Sequence, residues 1–90
     1  MIERQATIVN QEGLHARPAA RIVRLASGFT AEIELVKDGL EVNGKSIMGV
    51  MMLAAECGSS ITIRADGPDA EAAVEAIATL VESGFGETVV

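Results

Sequence analysis

Residues 32–43 read EIELVKDGLEVN. Alternation over Glu32–Lys37 sets Ile33 and Leu35 on one side and Glu32 and Glu34 on the other, the period of a strand with one face in a core. Leu40–Asn43 repeats the pattern, with Leu40 and Val42 inward. Between them stands Asp38-Gly39, a pair suited to the tight turn whose central residues need positive φ. A hairpin at mid-chain is predicted, and the other elements must be fitted around it.

Upstream, residues 2–9 alternate weakly, with Ile2, Ala6 and Ile8 opposite Glu3, Gln5 and Thr7, as in a half-buried strand. From Ala16 to Ala26 the small and apolar residues Ala16, Ala19, Ala20, Val23 and Ala26 recur at helical steps. Arg17, Arg21 and Arg24 take another face, and Gly28 follows where a helix would stop. Downstream, Asn43-Gly44 turns the chain, and Ser46 is a candidate N-cap for a short helix from Ile47 to about Ala54, with Gly58 to close it. Ser60–Ala65 alternates again, Ile61, Ile63 and Ala65 against Thr62 and Arg64. Asp66-Gly67-Pro68-Asp69 makes a turn and offers Asp69 as N-cap of a last helix, about Ala70 to Ser83. Its apolar stripe is Ala70, Ala73, Val74, Ile77, Leu80 and Val81, with Gly84 at its end and an irregular tail from Phe85 to Val90.

The order β-α-β-β-α-β-α mixes a hairpin with crossover connections. It calls for an α/β (α+β) open-faced sandwich, a four-stranded antiparallel sheet covered on one face by three helices. Ninety residues suit one domain, 1–90, with a single core. A hydrophobic fraction of 49% is enough to fold it and argues against disorder. The net charge of −6 argues against nucleic acid or an anionic membrane as partner. No apolar run approaches the roughly 18 residues of a membrane helix, and MIERQATIVN has no secretory features, so a cytoplasmic protein without membrane insertion is expected. Cys57, the single cysteine, cannot form an internal disulfide, and it is expected to be a small buried apolar residue.

The single histidine falls in GLHARPAARIV, residues 13–23, directly before the first helix. Pro18 belongs in a first turn, where its missing N–H costs nothing. The free N–H groups of that turn, around Ala16, Arg17 and Pro18, form a ready anion site beside His15. The positive helix end disfavours an imidazolium and leaves a ring nitrogen nucleophilic. If the ring takes a phosphoryl group, the amides meet the new charge and Arg17 can clamp the equatorial oxygens. A histidine before a helix can also simply cap it or face solvent.

GLHARPAA closely resembles the active-site signature of the HPr family, the histidine-containing phosphocarriers of the phosphoenolpyruvate-dependent phosphotransferase system. VNGKSIMGVMMLAA, Val42–Ala55, resembles that family's second helix and the serine before it, and length and element order agree from Met1 to about Glu87. The resemblance implies that His15 accepts phosphate on Nδ1 from phosphorylated Enzyme I and passes it to an EIIA-type domain, with Arg17 steadying the group. The chain would be a phosphoprotein carrier, not an independent enzyme, and would need no cofactor or metal. It also implies regulatory phosphorylation of Ser46 by an HPr kinase/phosphorylase, although helix capping alone could account for that serine.

Ile47, Met48, Met51 and Met52 cannot all face the sheet if Val50, Leu53 and Ala54 do. Exposed methionines near the histidine suit an adaptable docking surface; the alternative is that they fill an aromatic-poor core. Ala20 belongs to the same surface, and Arg17, Arg21, Arg24 and Lys45 are expected to cluster there and steer acidic partners, unless they are only solvated helix charges. A monomer is expected. A hydrolase lacks a second motif, and one His with one Cys is a poor metal set. A purely regulatory binding module controlled through Ser46, and a nitrogen-branch phosphocarrier, remain as alternatives.

Overall fold

The computed structural model describes residues 1–89. Its elements are β1 (Ile2–Thr7), α1 (Ala16–Ser27), β2 (Glu32–Lys37), β3 (Leu40–Asn43), α2 (Ile47–Met52), β4 (Ser60–Asp66), α3 (Ala70–Glu82) and a 3-10 turn, Gly84–Gly86. The strands form one sheet of order β1-β4-β2-β3 with every pairing antiparallel. Lys37 pairs with Leu40, and Asp38 and Gly39 both take positive φ, 51° and 82°, as a two-residue hairpin that follows the twist of its strands requires. The expected open-faced architecture is therefore the one observed.

One sheet face is closed by helices, and the core lies between. Ile33, Leu35, Ile61, Ile63 and Ala65 point into it, against Ile22 and Ala26 of α1, Val50 of α2, and Val74, Ile77 and Val81 of α3. Each such isoleucine, leucine or valine contributes about 1.5–3 kcal/mol by leaving water. The other face is open and charged: Arg64, at its centre, ion-pairs Glu3 at 2.7 Å and Glu41 at 2.9 Å.

Several local expectations are corrected. The buried stripe of α1 is Pro18, Ala19, Ile22 and Ala26; Ala16 is exposed, and Ala20 and Val23 are only half-buried, because the stripe follows the i, i+4, i+8 row. Ile2 and Leu40 occupy inward positions of the edge strands, at the ends where the sheet runs out, and remain exposed. α2 stops at Met52, Ala54 turns out of the core at φ 49°, and Ala55 is buried in its place. Gly58 does not close α2; its N–H donates to the Ile8 carbonyl at 2.7 Å on the way into β4. Cys57, in that turn, is exposed.

Asp69 precedes α3 but makes no side-chain cap. Its carboxylate instead accepts the N–H groups of Thr30 and Ala31, each at 2.8 Å, and ties the α1–β2 loop to the start of α3. The bond from Thr30, more than any other influence, holds that carboxyl below its ordinary value.

The tail opens with the 3-10 turn and carries no further helix or strand among the described residues. Gly84, Phe85 and Gly86 all take positive φ and reverse the chain, with Phe85 buried. Gln11 N–H then donates to Thr88 O at 2.8 Å, and Asn10 bridges to Val89, so residues 84–89 form a strap over the loop after β1. Val90, the end of the expected tail, lies outside the described residues.

Candidate functional site

The loop from β1 to α1 is held at several points. Gly13 donates to Asn10 O at 3.1 Å and turns at φ 72°. A Cβ on it would lie 2.6 Å from the Ala55 carbonyl oxygen, so this approach admits only glycine. Leu14 is buried, and its N–H donates to that same oxygen at 2.9 Å. Anchored so, His15 is the N-cap residue of α1 in extended conformation, φ −80° and ψ −171°, and its side chain makes no cap. The imidazole is left for other uses.

Its ring is 37% exposed and lies between two depressions. One, of about 470 Å³, is lined by Gln11, Glu12, Leu14 and the segment Ala54–Cys57. The other, of about 530 Å³, is lined by Arg17, Gly86, Glu87 and Thr88. The amides of Ala16 and Arg17 have no acceptor among the described residues, Pro18 has no N–H, and Ala19 N–H already bonds to His15 O at 3.0 Å. Two donors at the positive end of a twelve-residue helix thus remain open beside the ring.

His15 Nε2 is 3.1 Å from Glu87 Oε1. The hydrogen bond with His15, foremost, holds the Glu87 carboxyl below its ordinary value; partial burial opposes it, while the Asn10 amide and the nearby charges of His15 and Arg17 assist. In a neutral ring, an ionised Glu87 can accept only from Nε2–H, and that tautomer carries its lone pair on Nδ1.

Antiparallel packing of α1 and α2 separates the other expected residues. Ala55, just after α2, touches the His15 loop, whereas Lys45, just before it, donates to Phe29 O at 2.8 Å beyond the far end of α1. At 1.5 Å per residue that is about 18 Å from His15. Lys45 therefore does not join a cluster at the histidine. Arg21 donates to Phe85 O and pins the strap, and Arg24 projects from the last turn of α1. Ser46 caps α2 by accepting Gly49 N–H at 3.1 Å. Ile47, Met48, Met51 and Met52 are exposed on α2, Met48 to 76%, while Val50 and Leu53 fill the core beneath. No group of three or more His, Cys, Asp or Glu side chains suited to a metal ion occurs among the described residues.

The family described as the PTS HPr component phosphorylation site matches residues 2–83. The chain belongs to the HPr family. It is 46% identical to the phosphocarrier protein HPr of Cupriavidus necator over 97% of this chain and 98% of that one. Identity with the HPr of Treponema pallidum is 48% over 97% of this chain and 99% of the other. A crystal structure of an HPr from Thermoanaerobacter tengcongensis superposes with a TM-score of 0.93 at 46% identity, covering 99% of this chain and 100% of that chain. Members of the HPr family are thus described as phosphocarriers rather than catalysts.

Two residues of this HPr-family site were not expected from sequence, Glu87 and Asn10. Glu87 comes 72 residues after the histidine it touches, beyond the reach of local periodicity. The available signal was Gly84-Phe85-Gly86, an aromatic residue between glycines, which marks an anchored reversal.

Proposed function

We propose that the chain is a cytoplasmic phosphocarrier that accepts a phosphoryl group on His15 Nδ1 from phosphorylated Enzyme I and delivers it to EIIA-type domains, acting as a monomer. The observation that carries the reading is the His15–Glu87 contact beside open helix amides. With Nε2–H donated to Glu87, Nδ1 has a free electron pair to attack phosphorus. The bond from phosphorus to the donor breaks as the Nδ1–P bond forms, and no proton need move. The ring gains positive charge, which the Glu87 carboxylate stabilises, while the amides of Ala16 and Arg17 and the guanidinium of Arg17 meet the phosphoryl oxygens. The same contacts serve in reverse on delivery.

The exposed face of α2, Ile47, Met48 and Met51, supplies the docking surface, with Ala20, Arg21 and Arg24 of α1 beside it and Lys45 at its far end. An HPr kinase/phosphorylase acting on Ser46 would place close to two negative charges next to that surface and repel acidic partners. Incubation with Enzyme I and phosphoenolpyruvate is expected to yield one acid-labile, base-stable phosphate, abolished in His15→Ala and kept in Ser46→Ala. Labelling of His15→Ala at the wild-type level would end the carrier reading. Ser46→Asp is expected to accept phosphate more slowly, and an unchanged rate would remove the regulatory role.

A further inference from the structure

Asn10 is completely buried and polar, and the chemistry above makes no use of it. Its side-chain amide donates in two directions, to Gly13 O at 2.8 Å and to Glu87 Oε1 at 3.0 Å. Both acceptors are one bond from the histidine. Gly13 O also receives the His15 backbone N–H at 3.0 Å, and Glu87 Oε1 also meets His15 Nε2. The carbonyl half, Oδ1, is buried with no partner among the described residues.

That imbalance is informative. An amide whose oxygen is orphaned adds nothing to the core that an apolar side chain of the same shape would not add better. The residue is therefore explained by its two donors. Only a carboxamide of this length presents two N–H groups from one nitrogen to a backbone carbonyl and a carboxylate; aspartate would set a buried negative charge against Glu87. Position 10 also joins the His15 loop to the strap through the bridge with Val89.

We propose that Asn10 is a positioning residue for phosphoryl transfer: it fixes Glu87 Oε1 and the Gly13 carbonyl together, and so orients the His15 ring with Nε2 toward the carboxylate and Nδ1 toward the incoming phosphorus. The inference rests on the phosphocarrier reading for its kinetic consequence, but its geometric part does not. Asn10 never touches phosphorus; it acts through Glu87.

The test uses the full chain with Asn10→Leu and Asn10→Asp, each also made in a Glu87→Ala background, and two readouts. The first is the nitrogen NMR shifts of the unphosphorylated His15 ring. These are expected to report the proton on Nε2 in the wild type and to move toward an unbonded ring in both single variants. The second is the initial rate of phosphorylation by Enzyme I and phosphoenolpyruvate. It is expected to fall about tenfold in Asn10→Leu, the worth of one charge-assisted hydrogen bond, with no further loss when Asn10→Leu is added to Glu87→Ala. Thermal melting separates folding from positioning: Asn10→Leu removes two donors along with the orphaned oxygen, so a lower melting temperature is expected, and both readouts are taken well below it, where the variant is folded. Should it fail to fold, Asn10→Asp, of the same size, carries both readouts. Unmoved ring shifts, an unchanged rate, or losses that add to those of Glu87→Ala would each overturn the proposal. A wild-type chain that takes no phosphate but shows the ring shifts would sink the carrier reading and leave the positioning intact.

Discussion

Gly13→Ala isolates the contact that places the histidine. At φ 72° a residue with a Cβ lies in the left-handed region, at a cost of about 1–2 kcal/mol. The new Cβ would stand 2.6 Å from Ala55 O and 3.1 Å from Glu56 Cα, both backbone atoms, so no side chain can swing aside. The two segments must part by several tenths of an ångström, an overpacking cost of about 1–3 kcal/mol. Parting stretches the Leu14 N–H to Ala55 O bond, now 2.9 Å, worth about 1 kcal/mol. Reduced freedom of the unfolded chain returns about 0.4–1 kcal/mol. The net destabilisation is about 3–4 kcal/mol, or a fall in melting temperature of about 15–25 °C for a domain of this size. Far-UV circular dichroism is the assay, because the chain has neither tryptophan nor tyrosine. Gly39→Ala supplies the control: its φ is 82° with nothing within 4 Å of the added Cβ, so strain acts alone and the loss should stay near 1 kcal/mol. Equal losses in the two variants would show that the contact with Ala55 does not hold the loop.

Three further outcomes are expected. Glu87→Gln keeps an acceptor but removes the charge that answers the phosphorylated ring, so phosphorylation is expected to slow about fivefold, roughly 1 kcal/mol in the transition state; a wild-type rate in rapid-quench measurement would contradict the mechanism. Because the Glu87 carboxyl lies below its ordinary value of 4.5 in the folded chain, its contribution is present above that pH and lost as pH falls through the depressed value; amide exchange at Gln11 is expected to quicken there in wild type, with the acid step absent from Glu87→Gln. Ile63→Ala, in the centre of the sheet and fully buried, is expected to cost about 3 kcal/mol in urea unfolding; a loss below 1 kcal/mol would mean the core had collapsed around it.

What could be read from sequence followed the range over which each signal acts. The Asp38-Gly39 hairpin and the strand read over Ser60–Ala65 are local patterns, and they lie where alternation placed them, the strand running one residue further to Asp66. His15 at the head of α1 was equally legible, because a proline in the first turn and the arginine and alanine spacing bear on adjacent residues. Misreadings began where contacts span the chain. Cys57 was expected inside on residue type alone, yet it lies in the exposed turn that Gly58 makes toward Ile8. Lys45 is next to Ser46 in sequence, but antiparallel helices carry it to the end of α1 opposite the histidine. Asp69 looks like a cap from its position and instead serves a loop 38 residues earlier. Glu87 needed a fold in hand before its tail could be seen to return.

The strand order has a consequence for how the molecule comes into being. Among the described residues β1 pairs only with β4, so β1 has no strand neighbour until β4 leaves the ribosome. Such long-range pairing places the domain among slower folders, in the range of milliseconds rather than microseconds. The histidine loop hangs between that waiting strand and α1, and its ring is finished only when the strap returns from the far end. A nascent chain that has not yet added residues 84–89 would thus display the signature residues without the Glu87 contact to the ring.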